Sequence, residues 1–205
     1  MRTYGQFCAL AKALDVIGDR WNLLIVRELL LRGPCRYTDL LAGLPGIATN
    51  LLADRLTDLT DAGVVVRQVV GPPTPATTFS LTTRGEALRP VVLELGRWGA
   101  PLLADFAGEA FRGEWLALPA GEFLSDHEPD QPPISVAVAA ADERFAIEVD
   151  GGQVRIVPDW PRDPAATIRA APDALVKLLT GRLEVDDASV AWEGDSASLK
   201  RILPA

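Results

Sequence analysis

Residues 36–63 read RYTDLLAGLPGIATNLLADRLTDLTDAG, and this stretch decides the fold of the first half of the chain. It predicts two short helices, about Tyr37–Leu41 and Thr49–Ala62, joined by a tight turn at residues 44–46. The leucines of the second helix recur at steps of four and three, so they share one inward face: Leu52, Leu56 and Leu59. The opposite side carries short side chains and could lie in a DNA major groove: Thr49, Asn50, Ala53 and Thr57. A helical hairpin with another function would show the same pattern, so the function has to be inferred from the neighbouring elements.

Two predicted strands follow this helical pair. Val64–Val70 is rich in β-branched residues, and Thr78–Leu81 returns after a proline-rich loop at residues 71–75. A hairpin placed directly after a helix-turn-helix forms a wing. The order of elements therefore favours a winged helix-turn-helix domain that binds DNA.

Two further helices are predicted before this unit. Gln6–Ile17 shows helical spacing of its apolar residues. Trp21–Leu31 is apolar nearly all round, so we expect it to be the buried centre of the domain, with Asp19 as its N-cap.

A long helix is predicted after the wing, from a cap at Thr82 or Thr83 to about Phe106. Its apolar residues alternate at steps of three and four, as in a coiled coil: Leu88, Val91 or Val92, Leu95, Trp98 and Leu102. We expect this side of the helix to form a homodimer interface, with helix 7–17 as a second contributor. The alternative is an amphipathic helix folded back on its own domain.

The net charge of −8, taken over the whole chain, argues against a nucleic-acid partner, but this charge is unevenly distributed. Residues 1–106 hold eleven Lys or Arg and ten Asp or Glu, a balance of +1. Residues 107–205 hold nine and eighteen, a balance of −9. The first half can bind DNA through a local basic face, whereas the acidic second half should repel phosphate.

The sequence favours a cytoplasmic protein that is not an enzyme. The apolar run Leu23–Leu31 is interrupted by Arg27 and Glu28, so neither a signal peptide nor a membrane span is predicted. Two cysteines fit a reducing compartment. We expect no cofactor and no metal site, because no phosphate-binding loop, nucleophile arrangement or zinc spacing is present and the single histidine, His127, lies in a polar loop.

The second half predicts an α+β domain at residues 133–205, after a linker at 107–132. Three strands near residues 134–138, 145–149 and 153–157 form a meander. Strands at 166–169 and 189–192, a helix that begins at Pro172 and a last helix capped by Ser196 complete it. Five aromatic residues supply bulk for a core or for an apolar cavity: Trp115, Phe123, Phe145, Trp160 and Trp192. The last four of these are the candidate ligand contacts.

The motifs of residues 4–100 together resemble the HxlR family of winged helix-turn-helix transcription regulators. The resemblance is carried by Cys8, Gly18-Asp19-Arg20-Trp21, Tyr37-Thr38-Asp39-Leu40, Gly46-Ile47, Leu52, Arg55-Leu56 and Leu81-Thr82. It implies a dimeric, cytoplasmic regulator that binds operator DNA. The chain departs from the family at Ala9, where proline is common, and at Ala48, where a serine cap is common, so we expect Thr49 to take over the cap.

Residues 133–203 resemble the sterol-carrier-protein fold. The resemblance rests on Leu178-Leu179-Thr180-Gly181-Arg182 and on Gly194-Asp195 before the last helix. It implies an apolar cavity for a fatty or aromatic ligand, and hence a regulator controlled by a small apolar molecule. The alternative is a lipid or ligand carrier in which the helix-turn-helix serves only dimerisation.

The candidate DNA contacts fall into three groups. Arg36 and Thr38 open the first helix of the pair and are placed to bind phosphate. The start of the second helix is placed to meet bases, through Thr49, Asn50 and Ala53. The wing is expected to touch phosphate or the minor groove, through Arg67, Thr74 and Thr77. For Arg55 two interpretations stay open: a phosphate contact, or an ion pair with Asp58 or Asp39 inside the fold.

Cys8 is the candidate for redox control. It lies at the start of a helix, where the helix dipole lowers a thiol pKa. In the family that the chain resembles, a cysteine at this place often senses oxidants, quinones or aldehydes. The alternative is a small buried residue beneath Trp21. Cys35, which adjoins Arg36 before another helix, is a weaker candidate.

Overall fold

The computed structural model describes residues 3–71, 76–103 and 108–204. The chain divides into two compact units, Met1–Leu95 and Gly96–Ala205. The first unit is mostly helical and the second is mixed, while the domain bounds 1–106 and 133–205 stay a prediction.

The first unit is a winged helix-turn-helix. Its helices are α1 (Ala9–Ile17), α2 (Asn22–Arg32), α3 (Tyr37–Gly43), α4 (Thr49–Asp61), α5 (Thr83–Glu86) and α6 (Arg89–Gly99), the last of which crosses the division between the units. Its strands are β1 (Cys35–Arg36), β2 (Val65–Val70) and β3 (Ala76–Leu81), which form an antiparallel sheet in the order β1-β3-β2. The core gathers the central helix α2 and the leucines of α3 and α4: Ile25, Val26, Leu29, Leu40, Leu52, Leu56 and Leu59. The predicted helical pair and wing are confirmed.

Three of the predicted caps are wrong. Asp19 does not cap α2, because Trp21 occupies the N-cap position in the left-handed region at φ 85°. Thr49 does not cap α4, whose N-cap is Ala48 without a side-chain hydrogen bond. The last helix of the chain is capped by Asp195, one residue before Ser196. In all three cases the predicted residue lies within two positions of the observed N-cap, but the backbone begins the helix elsewhere.

The long helix predicted after the wing is interrupted. Thr82 caps α5 by accepting a hydrogen bond from the Gly85 N–H at 3.1 Å, as expected. The helix stops at Glu86 and resumes at Arg89. Pro90 explains the break, because its ring clashes with the carbonyl four residues earlier and it has no N–H to donate. A short 3-10 turn, Ala100–Leu102, follows α6, and the predicted end near Phe106 lies outside the described residues.

A buried carboxylate of α2 lies against α3. Glu28 has no exposed side-chain surface, and its oxygens accept hydrogen bonds from Arg27 at 2.7 Å and Arg32 at 3.1 Å. Gly43, in α3, lies directly above it: a Cβ built there would be 2.1 Å from Glu28 Oε2. Glycine at position 43 is therefore required for this approach of the two helices.

The second unit is an α+β fold built on a five-stranded sheet. Its strands are β4 (Ile134–Ala140), β5 (Glu143–Asp150), β6 (Gln153–Val157), β7 (Ala166–Ala170) and β8 (Val190–Gly194), in the order β6-β5-β4-β7-β8. Only the β4–β7 pair is parallel among these described strands. Helix α8 (Pro172–Leu179) and helix α9 (Ser196–Ile202) bury apolar residues against the core, which includes Phe145, Ile147, Ile168, Leu175 and Ile202. The predicted meander and α+β class are confirmed.

Part of the stretch assigned to a linker belongs to this second core. A 3-10 turn at Gly113–Leu116 and helix α7 (Ala120–Phe123) lie within it, and Ala120 and Leu124 are buried. A Cβ on Gly113 would be 2.2 Å from the Phe145 ring, so this turn is pressed against the core. Alternating strands give a clear periodic signal, whereas short turns such as these do not.

A buried ion pair closes the second unit. Arg201 of α9 donates to both carboxylate oxygens of Asp126, at 2.7 and 3.0 Å, and to the Pro132 carbonyl at 2.7 Å. Asp126 also accepts from the backbone N–H groups of Glu128 and Gly152. The pKa of Asp126 is held well below its usual range, mainly by the hydrogen bonds from Arg201. The loop around His127 is thus fastened to the last helix.

Candidate DNA interface and ligand cavity

The outward side of α4 is free of large side chains. Leu52, Leu56 and Leu59 are buried on the inward side. The exposed residues of its first three turns are Thr49, Asn50, Ala53, Asp54 and Thr57, and we call this set the recognition face. The Tyr37 hydroxyl donates to the Thr49 carbonyl at 2.5 Å, which ties the start of α4 to the start of α3. Every member of this face except Asp54 was predicted from the sequence to point outward.

The structure places Arg55 inside the fold. Its Nη1 donates to Asp19 Oδ2 at 2.5 Å and to Asp58 Oδ2 at 3.0 Å. The expected partner Asp58 is present, whereas Asp39 instead accepts from the Arg36 backbone N–H at 2.8 Å. Of the two open interpretations, the ion pair describes the structure, so Arg55 is not part of the recognition face.

The strand register sorts the wing residues onto two faces. Arg36 and Gln68 are both paired with Thr78, so the three side chains share one face of the small sheet. Arg67 is paired with Phe79, and Thr77 lies two positions before Phe79 on β3, so they share the other face.

The candidate phosphate contacts therefore do not form one group. Arg36, Thr38 and Arg67 are exposed and Thr77 is half-buried, while Thr74 lies outside the described residues. Gln68 was not predicted as a contact, because only the strand register shows that its side chain shares a face with that of Arg36.

The apolar face predicted for dimerisation is largely uncovered by the residues that the structure describes. Helix α6 has no buried residue. Along the predicted dimer face, Leu88 and Val92 are half-buried and three residues are exposed: Leu95, Trp98 and Leu102. Helix α1 and the residues before it also expose an apolar set: Tyr4, Phe7, Leu10 and Leu14. The Tyr4 N–H donates to Asp15 at 2.8 Å, so the segment before α1 is fastened to that helix.

The second unit contains a cavity of about 660 Å³. Its lining is largely apolar, with a charged rim, and comprises Ala100, Leu102, Leu103, Glu109, Ala110, Phe111, Trp115, Leu116, Pro172, Asp173, Val176, Lys177, Thr180 and Arg182. This volume is within the range of sites for drug-sized molecules. At the rim, Lys177 pairs with Asp173 at 3.1 Å along α8.

None of the four candidate ligand contacts lines this cavity. Phe145 is buried in the core and Phe123 packs against it. The Trp192 indole donates to Asp186 at 3.1 Å, and Trp160 is 41% exposed with the Arg144 guanidinium over its ring. The fifth aromatic residue, Trp115, does line the cavity. Aromatic residue type alone did not distinguish core from cavity.

Two family models match separate parts of the chain. Residues 16–105 match the HxlR-like helix-turn-helix family, and residues 131–191 match the SCP-2 sterol transfer family. The HTH-type transcriptional regulator YvaP of Bacillus subtilis, described as uncharacterized, is 41% identical over 88 residues, which are 42% of this chain and 80% of YvaP. The HTH-type transcriptional regulator YodB of Bacillus subtilis is 38% identical over 87 residues, 42% of this chain and 76% of YodB.

This chain belongs to the HxlR-like helix-turn-helix family. Its relatives of this family match the first half of the chain. Among solved structures, the redox regulator HypR in its oxidized form is 30% identical, with a TM-score of 0.44, and the match covers 48% of this chain and 100% of HypR.

The two cysteines of the HxlR-like unit differ in access. Both are free thiols. Cys8 is exposed at the N-cap of α1, so the interpretation of a residue buried beneath Trp21 is wrong. Cys35 is buried, and burial, with a smaller contribution from the Asp39 charge, raises its pKa to about 11. Only Cys8 is therefore open to a reagent from solvent.

Within residues 3–71, 76–103 and 108–204, no group of three or more His, Cys, Asp or Glu side chains is arranged to hold a metal ion. In the same ranges, no helix combines the length and the apolar character needed to cross a bilayer.

Proposed function

We propose that this member of the HxlR-like family is a sequence-specific DNA-binding transcription regulator that acts as a homodimer in the cytoplasm. The observation that carries the proposal is the recognition face: an exposed, short-side-chained surface on the second helix of a helix-turn-helix. Such a helix enters the major groove with its N-terminal residues against base edges. Asn50 can bond adenine through two hydrogen bonds, and Ala53 can meet a thymine methyl.

The phosphate contacts would come from exposed arginine and glutamine side chains of the same unit. Arg36 stands at the start of α3, and Gln68 shares its face of the wing sheet. Arg67 extends from the other face of that sheet. Side chains of these types bind phosphate oxygens and orient a protein on the duplex, while the recognition face reads sequence.

Homodimerisation is supported by the two uncovered apolar surfaces of the first 102 residues. Trp98 is 74% exposed and Leu102 is 70% exposed, and burying such surface releases about 25 cal/mol per Å². A second copy of the chain, related by two-fold symmetry, would cover both surfaces and present two recognition faces. The half-sites would then lie about 34 Å apart, one turn of the duplex.

The direct test is a gel shift and footprint on the DNA upstream of the protein's own gene. The wild type should protect a two-fold symmetric site. Asn50→Ala and Arg36→Ala should each weaken binding by about 5- to 100-fold, through base and phosphate contacts respectively. Arg144→Ala, a cation of the second unit, serves as the matched control and should bind like the wild type. Absence of a protected site at low salt, with folded dimer present, would contradict the proposal.

The cavity of the second unit supports control by a small apolar effector. Its walls are apolar and its volume suits a drug-sized molecule, and the SCP-2 match includes the Asp173, Val176 and Lys177 positions of its lining. Nile red, an apolar fluorophore, should bind the wild type. Val176→Trp, which fills the cavity, should weaken that binding about tenfold. Ala191→Trp adds the same side chain at an exposed position of β8 and should leave binding unchanged.

Regulation would appear as reciprocal coupling between the two sites. If the cavity is the effector site, saturating it should change the affinity for operator DNA, and operator DNA should change the affinity for the occupant by the same factor. Exposed Cys8 offers a second route of control, by oxidation. Cys8→Ser should then abolish any response of DNA binding to a thiol oxidant.

A ligand carrier is the second candidate function, favoured by the cavity and the SCP-2 match alone. In a carrier the helix-turn-helix would serve only dimerisation, so Asn50→Ala and Arg36→Ala would have no functional consequence. Operator binding that these substitutions weaken, with Nile red binding intact, would exclude the carrier interpretation.

A further inference from the structure

The recognition face carries a carboxylate that no contact within the fold explains. Asp54 is exposed, and among the residues that the structure describes its carboxylate has no hydrogen bond or ion pair. The next acid along α4 behaves differently, because Asp58 is bound to Arg55. Asp54 therefore remains available to a partner outside the chain.

Helical geometry places this carboxylate at the centre of the outward side. With 100° per residue, Asn50, Asp54 and Thr57 fall within about 60° of arc, roughly opposite the buried Leu52 and Leu59. Asp54 is one turn after Asn50, so it lies in the first half of the helix that enters the groove. Its neighbours on this face are small, so nothing on the helix shields it from a bound duplex.

A carboxylate in the major groove needs a hydrogen-bond donor. The phosphates on both walls repel it, and the guanine and thymine edges offer only acceptors there. The donors in the major groove are the amino groups of cytosine and adenine, and the usual partner of an Asp or Glu side chain is cytosine N4. Asn50 is the better ligand for adenine, because an amide supplies both the donor and the acceptor that adenine requires.

We propose that Asp54 is a specificity-determining residue, which accepts a hydrogen bond from a cytosine amino group and so selects a C·G pair in each operator half-site. This rests on the proposed DNA-binding function. Asn50 and Asp54 are separated by about 6 Å along the helix axis, which corresponds to roughly two base-pair steps. The selected cytosine therefore lies within about two base pairs of the position that Asn50 reads.

The test is selection of bound duplexes from a randomised library by the full-length protein and its variants. The wild type should enrich a symmetric motif with a C·G pair at one fixed position in each half-site. Asp54→Ala should lose the preference at that pair by about fivefold or more and keep the preferences elsewhere. Asp54→Asn should shift the same position towards A·T, because an amide prefers adenine.

Asp61→Ala is the matched control. Asp61 lies seven residues after Asp54, on the same side of α4 and also exposed, but at the end of the helix away from the groove. Both alanine variants remove one negative charge, so both should raise non-specific affinity for DNA at low salt. Only the Asp54 variant should change the enriched motif. Circular dichroism confirms that each variant is folded.

The outcomes separate the two proposals. A wild-type motif that Asp54→Ala leaves unchanged, or one without a C·G preference, overturns the role of Asp54 while the regulator function stands. A folded wild type that enriches no motif at all overturns both. A change produced equally by Asp61→Ala assigns the effect to net charge and overturns base recognition by Asp54.

Discussion

The described residues up to 103 and those from 108 onward treat apolar surface in different ways. The later part buries most of its large apolar residues in one core around Phe145 and Ile168, and it closes that core with the Asp126–Arg201 pair. The first unit has a core of its own around Leu52 but leaves an apolar set on α1 exposed. Helix α6, which crosses into the second unit, has no buried residue.

This difference indicates which part of the chain requires a partner protein. A domain that hides its apolar surface is complete as a single chain, whereas exposed tryptophan and leucine at helical spacing indicate a surface made for another protein. On the proposed function, the part of the chain up to residue 103 depends on assembly, and the part from residue 108 onward depends on internal contacts for its stability. Four predictions test this contrast, in order of decreasing effect.

The largest effect should follow from a charge in the dimer face. Trp98→Asp places two carboxylates in a two-fold interface, because each substitution appears twice in a homodimer. We expect dimer affinity to fall by about 100-fold or more, the usual consequence of losing a central tryptophan. Operator binding should fall with it. Sedimentation velocity over a range of protein concentrations measures the dimer affinity.

Trp160→Asp is the control for that experiment. Trp160 is also exposed, at 41%, but it lies in the part of the chain from residue 108 onward and stacks with Arg144. Trp160→Asp should leave the dimer intact. If Trp98→Asp also remains dimeric, the exposed face of α6 has another purpose and the contrast between the two parts of the chain fails.

The second prediction concerns the ion pair of the second unit. Asp126→Asn keeps the shape of the side chain but leaves the Arg201 guanidinium, of which 4% is exposed, without its counter-charge. We expect the melting temperature of this unit to fall by on the order of 10 °C, because breaking one partner of a buried pair strands the other charge. Calorimetry should resolve this loss while DNA binding stays intact. Asp130→Asn, in the exposed part of the same loop, should have little effect.

The same pair predicts a pH dependence with a definite sign. Hydrogen bonds from Arg201 hold the pKa of Asp126 below its usual value in the folded state. Its contribution to stability is therefore fully present above about pH 4, the unfolded pKa, and is lost progressively as the pH falls towards the folded pKa. The difference between wild type and Asp126→Asn in urea midpoints should be constant near neutrality and shrink below about pH 4. A difference that grows on acidification would contradict the assignment.

The parts that the sequence predicted well are those with a local periodic signal. The spacing of Leu52, Leu56 and Leu59 locates α4 and its inward side, and the alternation in residues 134–157 locates three strands. The recognition face follows from that spacing, since the outward positions of a helix are determined once the inward ones are known. Asp54 was nevertheless not predicted as a base contact, because the candidate base contacts were neutral residues and acids are unexpected near phosphate.

The parts that could not be predicted depend on contacts between distant residues. Arg201 and Asp126 are 75 positions apart, and nothing near either residue indicates the other. The cavity is assembled from the segment around Leu102, the turn that contains Trp115 and the face of α8, so residue type alone gave four aromatic residues that do not line it. The position of Pro90 did contain the signal for the break between α5 and α6, but the heptad spacing around it favoured a continuous helix.

The third prediction is a steric one within the first unit. Gly43→Ala would place its methyl group 2.1 Å from Glu28 Oε2. The carboxylate cannot move aside without disturbing its bonds to Arg27 and Arg32, so we expect a loss of about 1–3 kcal/mol in unfolding free energy. Gly121→Ala is the matched control, since a Cβ there meets nothing within 4 Å, and it should be neutral or slightly stabilising. Urea unfolding of both variants distinguishes the clash from a general effect of alanine.

The smallest effect concerns the two thiols of the first unit. Cys8→Ser changes an exposed residue and should alter the unfolding free energy by less than about 0.5 kcal/mol. In that background only Cys35 reports on alkylation by iodoacetamide. Because burial raises the pKa of Cys35 to about 11, its alkylation should be slow at neutral pH and should rise steeply only in strongly alkaline solution.

The pKa shift of Cys35 makes stability change with pH in the opposite direction from that of Asp126. The folded state favours the neutral thiol, so its contribution is fully present below the ordinary thiol pKa of 9.0 and is lost as the pH rises towards 11. The Cys8→Ser, Cys35→Ala double variant should lack this loss of unfolding free energy at alkaline pH. Below pH 9 its unfolding free energy should not change with pH on account of a thiol. Alkylation of Cys35 at neutral pH at the rate of an exposed thiol would show that the first unit opens around β1, and its core would then be less closed than that of the second unit.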